Sequence, residues 1–239
     1  MLEMLHNGFV RNFIAEDRYL FIVNGFFTTL KITFFAVLLG VAVGFLIAII
    51  KSTHSMTGKL KLPNVICDIY LILIRGTPTM VQLLILFFIV FASINNKILV
   101  AILAFGINSG AYVAEIVRSG ILSIDKGQME AGRSLGFTYI QTMIYIILPQ
   151  ALKNVLPALG NEMIVLLKET AICGYIAIQD LTKGGDIIRS RTYDPYFPLL
   201  TVAAIYLVIV MIMTAGVNRL ERKLRNSDHW KFNQRTTFG

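Results

Sequence analysis

Asn108, Ser109, Glu162, Lys168 and Glu169 stand inside long apolar runs, where polar side chains have least reason to be kept. Ionisable residues at membrane depth are costly and mark functional sites. Glu162 and Glu169 are seven apart, so on a helix they share one face, and Lys168 projects from the next position and can neutralise one of them. The chemistry open to such a set is recognition rather than covalent catalysis. Glu162 or Glu169 would bind a cationic group and Lys168 a carboxylate, while Asn108 and Ser109 would hydrogen-bond a polar solute brought close by Gly110. One net negative charge remains after pairing, which points to a cationic solute. The alternative is a structural Glu–Lys network between helices, although buried ion pairs are poor stabilisers beside apolar packing.

The elements that must position these residues are membrane helices. Of 239 residues, 56% are hydrophobic and only 15% charged, and the mean hydropathy is +0.69. A soluble domain of this composition would expose large apolar patches. Runs of spanning length recur at Ile32–Ile50 between Lys31 and Lys51, at Gly76–Ile94 past Arg75, at Ile98–Ala114, at about Leu156–Ile178, and at Pro195–Asn218. Leu62–Ile74 reads as a helical approach to the second span, continuous with it or bent near Pro78. None of these runs alternates with a period of two, so a membrane barrel is excluded. Asn108 and Ser109 then lie ~15 Å inside one end of the third span, Glu162 ~13 Å into the fourth, and Lys168 and Glu169 ~22–24 Å into it.

Five spans put the termini on opposite sides. Fourteen of the 22 Lys and Arg fall on one side, including Lys51, Arg118, Arg133 and Lys153 and the tail from Arg219. That side is expected to be cytoplasmic, with the N-terminus outside and the C-terminus inside. The net charge of +8 therefore has a topological explanation and needs no nucleic acid. The first residues lack the basic-then-apolar order of a cleaved signal, so the first apolar segment reads as a retained span. Cys67 and Cys173 have no metal-ligand spacing and read as small buried hydrophobes. The isolated histidines suggest no metal site, and no catalytic residues or cofactor are expected. No His-Glu-x-x-His or Gly-x-Ser-x-Gly motif occurs, and no Gly-x-x-x-x-Gly-Lys-Ser/Thr loop, so energy from ATP would have to come through another chain.

Arg118 to Lys153 is the longest connection on the basic side. A short helix from Asp125 would carry acidic groups at its N-terminus, and Gly136 would end it. Phe137–Leu148 reads as a second helix, interrupted by Pro149. Such a surface helix is either a docking element or an interfacial helix without a partner. Glu115 and Arg118, one turn apart, are a salt bridge or part of an inner gate. Arg75 anchors the inner interface or gates, and Tyr112 lines the pocket or packs between helices. The external segment Gln179–Asp194 is a docking surface or a solvated loop.

Glu130-Ala131, then Gly136, nine residues, and Ile146-x-Leu148-Pro149 resembles the cytoplasmic coupling motif of binding-protein-dependent ABC importer permeases. Gly132 stands where the family usually has a second alanine, which should loosen the helix slightly. Arg75-Gly76-Thr77-Pro78 with Gln82, Asn108-Ser109-Gly110-Ala111-Tyr112 with Glu115, Lys126-Gly127-Gln128, Leu148-Pro149-Gln150-Ala151 and Leu159-Gly160-Asn161-Glu162 resemble its polar amino-acid uptake branch, over about residues 20–225. The resemblance implies an all-α membrane protein with five transmembrane helices and a cytoplasmic coupling helix, the type I ABC importer (MetI-like) permease fold. Residues 1–19 would be an extracytoplasmic segment, 20–220 the permease domain with its coupling region at 124–148, and 221–239 a cytoplasmic tail. A separate ATPase would bind ATP and dock at Glu130, Ala131 and Gly136. Asn108, Ser109, Tyr112, Glu115, Glu162, Lys168 and Glu169 would form the substrate site. The further partners would be a second permease chain (the same chain or a close paralogue), an extracytoplasmic solute-binding protein and membrane lipid, in a bacterial inner membrane. With the net negative charge of the site, the resemblance implies import of polar amino acids with a cationic one (arginine, lysine or histidine) preferred; glutamine, glutamate or cystine are the alternative substrates, and a stand-alone carrier or channel the alternative class.

Overall fold

The computed structural model describes residues 2–236, all of whose regular elements are helical. α1 (Leu2–Phe9) precedes the long α2 (Tyr19–Thr57). α3 (Lys61–Gly76) and α4 (Thr79–Ile85) follow, and α4 runs on into a π-helical turn at Leu86–Val90. α5 (Lys97–Leu122) leads to two short helices, α6 (Lys126–Ser134) and α7 (Tyr139–Thr142). α8 (Leu148–Glu169), α9 (Leu181–Thr192) and α10 (Tyr196–Thr236) complete the chain. Of the tail expected at 221–239, residues 237–239 lie outside the described residues.

Four helical stretches, Tyr19–Ser55, Lys97–Leu122, Tyr139–Ile176 and Tyr196–Leu224, are long and apolar enough to cross a membrane. A fifth crossing is the pair Lys61–Gly76 and Thr79–Val90, bent by 112°. The expected second span is therefore not one helix from Gly76 to Ile94. Its first half is α3 and its second half α4, and the break falls at Pro78. Proline cannot donate a backbone hydrogen bond and pushes the preceding residue out of the helical region. Thr77 is accordingly extended, at φ −123° and ψ 149°.

Two further boundaries differ from the sequence reading. The helix carrying the first span begins twelve residues before Lys31, at Tyr19, and Lys31 sits exposed on its side. Lys31 and Lys51 are ~30 Å apart along it, one hydrocarbon thickness, and α2 projects twelve residues beyond Lys31. Pro149 does not interrupt its helix. It lies in the first turn of α8, and the preceding π-helical turn Met143–Ile147 keeps helical dihedrals up to Leu148. Arg75, expected to anchor an interface or to gate, lies at the bend, against a residue of α5 seven positions before that helix ends.

α5 is the centre of the bundle. In its most apolar stretch 67% of residues are buried, against 39% in α2 and 11% in α10, so α10 is the outermost crossing. α2 lies along α5 at backbone contact. A Cβ on Gly44 would fall 2.5 Å from the Val113 side chain, and one on Gly40 2.8 Å from Ser109. Small residues four apart allow this approach, and dispersion then works over the whole seam. An outer apolar cluster gathers Ile32, Leu83, Phe105 and Leu166, and an inner one Ile47, Cys67 and Ala114.

Beyond the outer cluster, α9 packs against the projecting turns of α2. Asp180 caps α9, accepting from the backbone N–H of Lys183 at 3.0 Å and of Thr182 at 3.3 Å. Its side chain is wholly buried, and burial pushes the carboxyl up from 3.8 to about 6 against the lowering effect of those hydrogen bonds. The native state thus holds this proton more tightly than the unfolded chain. The stabilisation is complete below pH ~4 and is lost as the pH rises through about 6. Asp180→Asn keeps the cap and removes the buried charge. The variant is expected to melt roughly 3 °C or more higher at pH 7.5 and to show a flatter stability profile between pH 4 and 6. An unchanged profile would refute the assignment.

Candidate functional site

The break at Pro78 builds the first part of the site. Pro78 leaves the Ile74 carbonyl, four residues earlier, without its helical donor. The Gln82 amide fills that place, donating to Ile74 O at 2.7 Å, to Thr77 O at 2.9 Å and to Thr77 Oγ1 at 2.8 Å. Gln82 Oε1 in turn accepts from Asn108 Nδ2 at 2.8 Å. Asn108 is 1% exposed, and its Oδ1 is buried without a partner. Asn108 therefore ties the bend to the middle of α5 from behind.

The second part joins α5 to α8. Ser109, fully buried, donates to Glu162 Oε1 at 2.9 Å. Glu169, two turns further along α8, takes the Thr79 side chain at the start of α4 as its hydrogen-bond partner. Both glutamates are half-buried and share a face, as their spacing predicted. Lys168 is exposed and makes no direct ion pair with either glutamate among the described residues, but its charge acts on Glu169 in the sense that partly neutralises it, as expected. With Asn161, one heptad earlier and also exposed, it forms a polar edge on α8.

The third part lies about two turns nearer the basic end. Glu115 accepts from Arg118 through Nη2 at 2.5 Å and Nε at 3.1 Å, and it pairs with Arg75 at 3.6 Å. The Arg75 guanidinium sits 6.0 Å from the Tyr112 ring centroid. The expected Glu115–Arg118 bridge is thus present and extends to the bend. The structure brings Asn108, Ser109 and Glu162 together, places Glu169 and Lys168 outward of them, and puts Tyr112 and Glu115 in a separate inner cluster. The candidate list left out Thr79, Gln82 and Arg75. Their signal was available, since a glutamine four residues after a proline in an apolar helix is placed to cap the break.

The α6 region matches its expected helix at both ends. Asp125 caps the start, accepting from Gly127 N at 2.6 Å. Gly136, at φ +86°, takes the left-handed position after the last turn, and Phe137 N closes back to Gly132 O at 3.2 Å. Glu130 and Ala131 are exposed. Gly132 does not loosen the helix. It is buried, and a Cβ there would fall 2.6 Å from Thr142 Cγ2, so glycine lets α6 lie directly on α7. Gly132→Ala is expected to cost about 1–2 kcal/mol. Combined with Thr142→Ala it should lose less than the sum of the two single variants, by about 1 kcal/mol in a double-mutant cycle. Strict additivity would mean that the close approach is not what selects glycine.

Residues 40–226 match the model of the binding-protein-dependent transport system inner membrane components, and the chain belongs to that family. An arginine transport system permease protein, ArtQ of Bacillus subtilis, is 37% identical over 212 residues, covering 87% of this chain and 94% of the relative. The glutamine transport system permease protein GlnP of Escherichia coli is 34% identical over 199 residues, covering 82% and 90%. A crystal structure of an amino acid ABC transporter with histidines superposes with a TM-score of 0.79 at 43% identity, covering 88% of this chain and 98% of that one. Within the family the chain is an amino-acid ABC importer permease, a multi-pass inner-membrane protein. It is a transport subunit rather than an enzyme, with ATP hydrolysed by a separate chain.

Proposed function

We propose that this chain carries polar amino acids inward by alternating access, with cationic amino acids preferred. The observation that supports the preference is the pair of half-buried carboxylates, Glu162 and Glu169, on one face of α8, offset only by the charge of the adjacent Lys168. A guanidinium or ammonium entering this region would gain two acceptors that are otherwise served only by the hydroxyls of Ser109 and Thr79. Lys168, exposed on α8, would meet the substrate carboxylate. The exposure of Asn161 and Lys168 along one edge of α8 supports a second permease chain facing it across the pathway. The basic end is cytoplasmic in this reading. There α6 presents Glu130 and Ala131 to an ATPase subunit, while α9 meets the solute-binding protein outside.

The test is uptake into liposomes containing the chain with its ATPase and binding protein. ATP-dependent arginine uptake is expected, and Glu162→Gln should lower it about tenfold or more, with glutamine uptake little changed. Unchanged arginine uptake in Glu162→Gln would overturn the cationic reading. Glutamine is the second reading, favoured by the likeness to a glutamine permease. Equal loss of arginine and glutamine uptake would support it. Flux without ATP would overturn the importer mechanism itself.

A further inference from the structure

Between the ends of α2, α5 and α8 nearest the basic side lies a groove of about 250 Å³, walled by apolar side chains. Phe45 and Ile49 come from α2, Val117 from α5, Ile144 from the turn before α8, and Leu152 and Val155 from α8 itself. Phe45 is twelve residues from the end of α2, so the groove reaches ~18 Å below the end of that helix. At its mouth it opens into a second cavity, of about 420 Å³, which shares Ser52, Ile121, Tyr139 and Met143 with it. This mouth is polar and basic. It is lined by Lys51, His54, Asn64 and Arg118, and no carboxylate is among its lining residues.

The cations are held in place from behind with donors to spare. Lys51 pairs with one oxygen of Asp68, whose other oxygen accepts from Asn64 at 2.9 Å. Arg118 turns Nε and Nη2 to Glu115, which leaves the rest of its five-donor fork for another anion. The groove is not part of the proposed substrate path. Leu152 and Asn161 are nine residues apart, which places them ~180° apart round α8. The groove therefore opens on the side of α8 away from its polar edge.

An apolar slot at hydrocarbon depth under a basic polar mouth has the form of one phospholipid. Basic pockets between membrane helices on the cytoplasmic side suit anionic headgroups. We propose that this groove is a binding site for an anionic phospholipid of the inner leaflet, with its acyl chains along Ile49 and Leu152 and its phosphate at Lys51, Asn64 and Arg118. The choice of leaflet rests on the orientation under Proposed function, whereas the site itself does not.

The test uses the full chain in nanodiscs, with phosphatidylglycerol or phosphatidylcholine bearing the same photoactivatable acyl chain. Phosphatidylglycerol is expected to label the peptides around Ile49 and Leu152 about fivefold or more above phosphatidylcholine. Ser52→Glu, which sets a carboxylate in the mouth, should abolish that preference. Ile49→Trp, at a position 61% exposed, should abolish the labelling itself while the melting temperature stays unchanged. Equal labelling by the two lipids, groove labelling no stronger than at the outward-facing Leu38, or a preference that survives Ser52→Glu would each overturn the site. No transport is measured, so these outcomes are separate from those that test the substrate.

Discussion

Glu130→Arg is expected to lower ATP-driven uptake about 100-fold, the effect of replacing an attractive rim charge by a repulsive one at a small docking helix. The substitution is mild for the chain itself. Glu130 is exposed on α6, in the turn before Gly132 seats that helix on Thr142. The variant should therefore melt like the parent while failing to co-purify with the ATPase subunit. Two measurements separate the readings. Lost co-purification with an unchanged melt places the docking contact on α6, whereas undiminished co-purification would show that α6 is an interfacial helix and that coupling occurs elsewhere.

Gly44→Leu is expected to have the largest effect on stability, ~3 kcal/mol or more, because α5 cannot withdraw to make room. Even one Cβ at this position would fall 2.5 Å from Val113 Cγ1 and 2.8 Å from the Ala114 backbone nitrogen. The same substitution at Gly216 of α10, where an added Cβ meets nothing within 4 Å, should change the melting temperature little. Thermal melts of the two variants in detergent provide the check. Similar losses at both positions would mean that the close α2–α5 approach is not what requires glycine at Gly44.

Much of this architecture could be read from the sequence, because bilayer thickness and charge asymmetry act over long stretches that composition reveals. The caps of α6 were legible for a local reason, since Asp125 and Gly136 each work within a few residues of themselves. Lys31 misled because a charged residue beside an apolar run resembles a helix end, whereas here the helix continues past it into the outer collar. Pro149 misled in the opposite sense, because a proline breaks a helix only where its missing N–H is needed. The site was half legible. Spacing put Glu162 and Glu169 on one face, but it could not reveal that Ser109 and Asn108 are already bonded to Glu162 and Gln82. Those pairings join residues 53 and 26 positions apart, and only packing decides them. Gly132 looked like a weakness in a helix because its reason, Thr142, lies on the next one.

The bend between α3 and α4 divides one crossing into two levers with separate fulcrums. The outer arm rests on the cluster around Leu83 and Phe105, and the inner arm on the cluster around Cys67 and Ala114. At the elbow, Gln82 holds the freed carbonyls with side-chain hydrogen bonds rather than backbone ones. A side chain can follow a change of angle that a rigid helical turn would resist. One end of the crossing can therefore swing while the other stays seated, which a straight helix through the same two clusters could not do.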